Sequence, residues 1–129
     1  MLQSTDNTIT RQDMIDKSNK MLSKNEIEKI YSETTITAKY FYNNTWFKAI
    51  TNSYSDGTIT GQNNVGSSDK GRWEVSEDGV LSLEWDEYWE SWSAFGYRVQ
   101  DEVMFFDTDT GKWRITLSII EDGELSVEM

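Results

Sequence analysis

The eight residues WDEYWESW (85–92) put three tryptophans, a tyrosine and three carboxylates within a short reach of one another. Several chemistries suit that mixture. Two carboxyl groups roughly 5–9.5 Å apart, one with a raised pKa, hydrolyse glycosidic bonds, and neighbouring indoles desolvate the acid and stack on the sugar. Glu84, Asp86, Glu87 and Glu90 are the acids that could form such a pair. The rings could instead line the mouth of a ligand cavity. Left in water, they would anchor a basic partner protein, with the acids steering its approach. Packing alone is a further reading: Trp85, Tyr88, Trp89 and Trp92 are spaced i, i+3, i+4, i+7, so they can plug one end of a small core while the acids face solvent.

A calcium loop is suggested by Asp107-Thr108-Asp109-Thr110-Gly111, whose aspartates alternate. An EF-hand would then need glycine at Lys112 and glutamate at Ser118, and it has neither. The same residues make a good hairpin turn, so no metal is expected. Cysteine and histidine are absent, which excludes disulfides, thiolate nucleophiles, the usual zinc sites, imidazole shuttles and a Ser-His-Asp triad. No cofactor is implied, and a non-enzymatic role is expected.

The net charge is −11 and unevenly placed. Residues 1–72 carry 9 basic and 8 acidic side chains, whereas residues 73–129 carry 3 and 15. That field disfavours nucleic acid and anionic membranes and suits a basic protein or a cation, although a solvated, self-repelling surface is the better explanation of it. No apolar run reaches the roughly 18 residues of a membrane span. MLQSTDNTIT has no signal-peptide pattern, so the protein is expected to be either cytoplasmic or exported after loss of a leader. The oligomeric state, monomer or dimer, is left open.

One domain is expected from 129 residues, its core supplied by six tryptophans, six tyrosines and five phenylalanines. Residues 1–9 read as a loose N-terminus and 10–33 as a helical segment. Capping boxes at Thr10-Arg11-Gln12-Asp13 and Ser23-Lys24-Asn25-Glu26 predict helices at about 11–20 and 24–32. In the second, Ile27, Ile30 and Tyr31 form an apolar stripe.

From Thr34 the period falls to two. Strands are expected at 34–42, 45–51, 57–62, 71–76, 80–85, 93–99, 102–107, 112–120 and 124–128, separated by Asn43-Asn44, Asp56-Gly57, Asp78-Gly79, Thr110-Gly111 and Asp122-Gly123. In the clearest alternation Trp113, Ile115, Leu117 and Ile119 point inward, and Lys112, Arg114, Thr116 and Ser118 outward. Short strands joined by tight turns, without crossover helices, imply a mainly β fold over 34–129: an antiparallel meander closed into a barrel of 8–9 strands.

A resemblance is carried by Asp56-Gly57-Thr58, Gly61, Gly71-Arg72-Trp73-Glu74-Val75, Asp78-Gly79, Leu81-Ser82-Leu83-Glu84-Trp85 and Tyr97-Arg98-Val99. Over residues 22–120 the chain resembles a bacterial domain family of unknown function with a lipocalin-like β-barrel, often exported. Many relatives carry two cysteines near Ser82 and near Ser93 or Ala94; this chain has none, so no disulfide follows. The resemblance supplies no catalytic residues.

The resulting expectation is a non-enzymatic barrel binding a small hydrophobic or aromatic ligand, or a cationic one, in an aromatic-lined cavity. Its candidate site residues are Trp73, Trp85, Trp89, Trp92, Tyr97, Arg98, Phe105 and Trp113. Arg72, Arg98 and Arg114 lie among rings and serve either as ligand anchors or as structural ion-pair partners. The alternative is an acidic, inhibitor-type interaction module that meets a basic protein through the Trp85–Trp92 patch.

Overall fold

Both capping boxes form. Thr10 Oγ1 accepts from the Asp13 amide while Asp13 Oδ2 accepts from the Thr10 amide. Ser23 and Glu26 repeat the exchange at 3.2 and 2.9 Å. Each such cap stabilises its helix by about 1 kcal/mol. The computed structural model describes residues 8–42 and 45–118. Helix α1 (Arg11–Asp16) is shorter than its capping box and following residues suggest. Ser18 takes φ +58°, which ends the helix and lets the chain extend into a two-residue strand, β1 (Lys20–Met21). Helix α2 (Lys24–Tyr31) follows and buries Ile27 and Tyr31.

Eight strands then run up and down: β2 (Thr34–Tyr42), β3 (Thr45–Ser53), β4 (Thr58–Asn63), β5 (Ser68–Val75), β6 (Val80–Trp85), β7 (Trp92–Val99), β8 (Glu102–Asp107) and β9 (Trp113–Ser118). Each pairs antiparallel with the next, and β9 returns to β2 at Ala38↔Leu117 and Lys39↔Thr116, which closes the barrel. Closure pairs the two strands that would otherwise be edges. Strand β1 pairs with β7 at Lys20↔Arg98 and Met21↔Tyr97, beyond the last β6 partner at Phe95, so it extends the wall where β6 stops. The mainly β fold and the closed meander are thus as the sequence suggests. The expected strand at 124–128, the Asn43-Asn44 turn and the side chain of Ile119 lie outside the described residues.

Alternation sorts the barrel into two cores. The interior holds Ile36, Ile59, Trp73, Val75, Leu81, Leu83, Val103, Phe105, Ile115 and Leu117, joined by Leu22, Ile27 and Tyr31 from the N-terminal segment. Because α2 leads directly into β2, it packs over the barrel end where β2 begins and closes it. The second core lies outside the wall, where α1 covers β7–β9 with Met14 over Tyr97, Met104, Phe106 and Trp113. Arg11 fastens that cover. Its guanidinium sits 4.1 Å from the centre of the Phe95 ring, and its Nε donates to the Tyr97 hydroxyl at 2.9 Å. On the same outer face Ser82 and Ser93, directly opposite in register, share a 2.8 Å hydrogen bond. No helix among the described residues is long and apolar enough to cross a membrane.

Candidate functional site

The end opposite α2 is framed by the last residues of β2, β4, β6 and β8 and the first of β3, β5, β7 and β9. Here the interior is not filled. A cavity of about 630 Å³ runs from Tyr31, Ile36 and Leu117 at its floor to Tyr40, Trp85, Trp89 and Trp92 at its mouth. Val65, 64% exposed, stands at its opening.

The WDEYWESW segment forms that mouth, and it is a broad loop, not a helix. Its shape comes from a carboxylate the sequence reading passed over. Asp69 occupies an inward position near the start of β5, with 9% exposure. Its oxygens accept from the amides of Lys70 (2.8 Å), Glu87 (3.2 and 3.3 Å), Tyr88 (2.7 Å) and Trp89 (3.0 Å). Burial alone would raise its pKa, but these amides outweigh it and hold the carboxyl below the ordinary aspartate range. The Asp86 amide adds a bond to the Lys70 carbonyl, and the Trp85 amide one to Ser91 Oγ.

With its backbone fixed, the loop aims its rings. Trp89 turns inward, donates Nε1 to Ser67 Oγ at 2.9 Å and meets Trp85 edge-on at 4.7 Å. Gly61 lies beneath it, and a Cβ there would fall 2.6 Å from the indole, so the glycine makes room for the ring. Trp92 packs toward Phe105 at 6.4 Å. Only Tyr88 of the four rings is in water, at 76% exposure.

The other side of the mouth is charged. A β-bulge between Phe105 and Phe106 shifts the register of β9. It puts Trp113 with the outer cluster and turns Arg114 toward the cavity, a correction to the expected strict alternation. Arg114 donates Nε and Nη2 to Asp107 Oδ2 at 3.1 and 2.8 Å and Nη1 to Glu90 at 2.9 Å. Asp107 Oδ1 also accepts from the Asp109 and Thr110 amides, which makes the DTDTG segment a hairpin turn. Burial works against ionisation of Asp107, yet Arg114 and the two amides hold its carboxyl below the usual range.

Of the eight expected site residues, Trp85, Trp89, Trp92 and Trp113 line the cavity, the last while packed mainly in the outer cluster. The other four do not. Trp73 is buried below it against Tyr31, with Nε1 donating to the Tyr54 carbonyl, and Phe105 is likewise sealed in the core. Tyr97 points outward under α1. Arg98 is exposed, its Nε bonded to the Gln100 carbonyl. Alternation explains Tyr97: it has the phase of Phe95, opposite to Trp92 and Ala94. Sequence reasoning missed Tyr31 and Tyr40 as lining groups and Asp69 as the loop's anchor, whereas Arg114, weighed as a ligand anchor or an ion-pair partner, lines the cavity while paired with Asp107 and Glu90. For Asp69 the signal was present, since SDKGRWEV alternates from residue 68.

The acids suggested for hydrolysis do not gather around one point. Glu84 pairs with Arg72 on the outer surface at 2.8 Å, Glu90 is taken by Arg114, and Asp86 and Glu87 are exposed. No family model matches the chain, and no curated protein or solved structure does either.

Proposed function

We propose that the barrel is a binding protein for a small, largely apolar, ring-bearing molecule that enters between Trp85, Trp89 and Trp92. The observation that carries this reading is the unfilled interior, about 630 Å³ beneath an aromatic mouth. That volume lies within the roughly 300–1,000 Å³ of small-molecule sites, and its walls have their mixture of apolar surface and a few polar groups. Indole faces grip flat ligands at little conformational cost, because their own rotamers are already fixed by packing. Carboxylates around the mouth, Glu87 and Glu90 among them, favour a neutral or cationic ligand over an anionic one.

The interaction-module reading has less support. An anchoring patch needs several exposed rings, and here Tyr88 alone is exposed while the three tryptophans are partly withdrawn into the mouth.

Titration with N-phenyl-1-naphthylamine, a neutral dye that brightens in apolar surroundings, tests the proposal. Its emission should rise saturably, while tryptophan emission falls by transfer to the dye. Ala49 faces the cavity from β3. Ala49→Phe fills part of the same space and should weaken dye binding at least tenfold while circular dichroism stays unchanged. A dye that does not bind, or binds the variant equally well, sinks the reading.

A further inference from the structure

Most polar side chains at the cavity wall have a partner. Thr51 bonds the Ile36 carbonyl, Tyr40 accepts from Asn63, Ser67 accepts from Trp89, and Glu90 and Arg114 hold each other. Tyr31 differs. It lies at the floor with 2% exposure, and its hydroxyl has no hydrogen bond among the described residues. Burial is what shifts its phenol, upward and far from any pH at which it would ionise. It is therefore a neutral group able to donate one hydrogen bond and accept another. A deeply buried hydroxyl with no protein partner among the described residues, at the bottom of an open cavity, is available to whatever occupies that cavity.

Resting on the binding reading above, we infer that Tyr31 is the polar anchor of the site, and that the ligand enters with an uncharged hydrogen-bonding atom, such as a ketone or ether oxygen, at its inner end. A charged inner end does not fit. Among the described lining residues Arg114 is the one cation; it sits at the mouth and is held by Asp107 and Glu90, so these residues offer a carboxylate at the floor no counter-ion. An ammonium there would fare no better, since Glu90 is also at the mouth. The ligand class is thus an aromatic or alicyclic body with a single neutral acceptor at its leading tip. A carboxylate-headed lipid is excluded.

The test compares 2-acetylnaphthalene with 2-isopropylnaphthalene, which has nearly the same shape but no oxygen. Both are measured by displacement of N-phenyl-1-naphthylamine from the full chain and from Tyr31→Phe. The ratio of ketone to hydrocarbon affinity should be about fivefold higher in the wild type than in the variant, as expected for one neutral hydrogen bond. Hydrocarbon binding should survive the substitution. A second readout needs no variant: the infrared carbonyl stretch of bound, ¹³C-labelled ketone should lie below its value in hexane. Equal ratios in the two proteins, or an unshifted stretch, overturn the role of Tyr31 alone. If neither compound displaces the dye and the dye itself does not bind, the cavity reading falls, and this inference with it.

Discussion

Asp69→Ala is expected to lower stability by about 3 kcal/mol and to abolish dye binding together with the order of the mouth. The estimate follows from charge-assisted bonds to four amides, each left without its partner when the carboxylate is removed and only partly rescued by water. For a chain of this size the thermal midpoint should fall by roughly 10 °C. The pH dependence gives a sharper test. Asp69 has a folded pKa below its ordinary 3.8, so its contribution is fully present above that value and is lost as pH falls toward the depressed one. The stability gap between wild type and Asp69→Ala should therefore be widest near pH 7 and narrow below pH 3.8. A gap of constant size from pH 7 to pH 3, in midpoints followed by circular dichroism, would falsify the role given to this carboxylate. Asp107 titrates in the same sense and belongs to both proteins, so it cancels in the difference.

Gly71→Ala should be nearly as damaging for a different reason. Gly71 is paired with Trp85 inside the wall, and a Cβ would land on the Glu84 carbonyl oxygen and 2.9 Å from the Trp85 Cα. Backbone, not a flexible side chain, stands in the way, so β5 and β6 must part where β6 delivers Trp85 to the mouth. Overpacking of this kind costs about 3 kcal/mol. The variant should unfold roughly 10 °C lower than the wild type and bind the dye at least tenfold more weakly. A midpoint within 2 °C of the wild type would mean that the strands tolerate the methyl group.

These residues mark how far the chain was legible in advance. Period-two alternation and turn chemistry were sufficient for the barrel, because one-sided burial fixes strand register and leaves few closures for a meander. Both capping boxes were readable from three-residue spacings. The end of α1 was not, since a positive φ at Ser18 has no glycine to announce it. Which ring faces which side depends on phase and is lost wherever a bulge intervenes, as it does between Phe105 and Arg114. Trp73 and Phe105 have the right phase, and their register partners Leu83 and Ile115 reach the cavity, but both rings are packed against Tyr31 in the core; such packing is a tertiary property that no strand pattern carries. The same holds for Tyr31. Its helical stripe foretold burial, but only the docking of α2 over the barrel end brings the residue to the floor of a cavity.

WDEYWESW, first legible as a possible catalytic motif, is now a rim. Its acids face solvent or Arg114, its backbone is gathered by Asp69, and its rings border the cavity, the three tryptophans partly buried and Tyr88 exposed. The most direct measurement of the central claim is a crystal of the protein soaked with 2-bromonaphthalene, recorded at the bromine absorption edge. The account predicts one strong anomalous peak inside the barrel, between Tyr31 and the ring of Trp85, Trp89 and Trp92. An interior without bromine, or bromine only in the shallow outer groove between Ile50 and Tyr88, would contradict it.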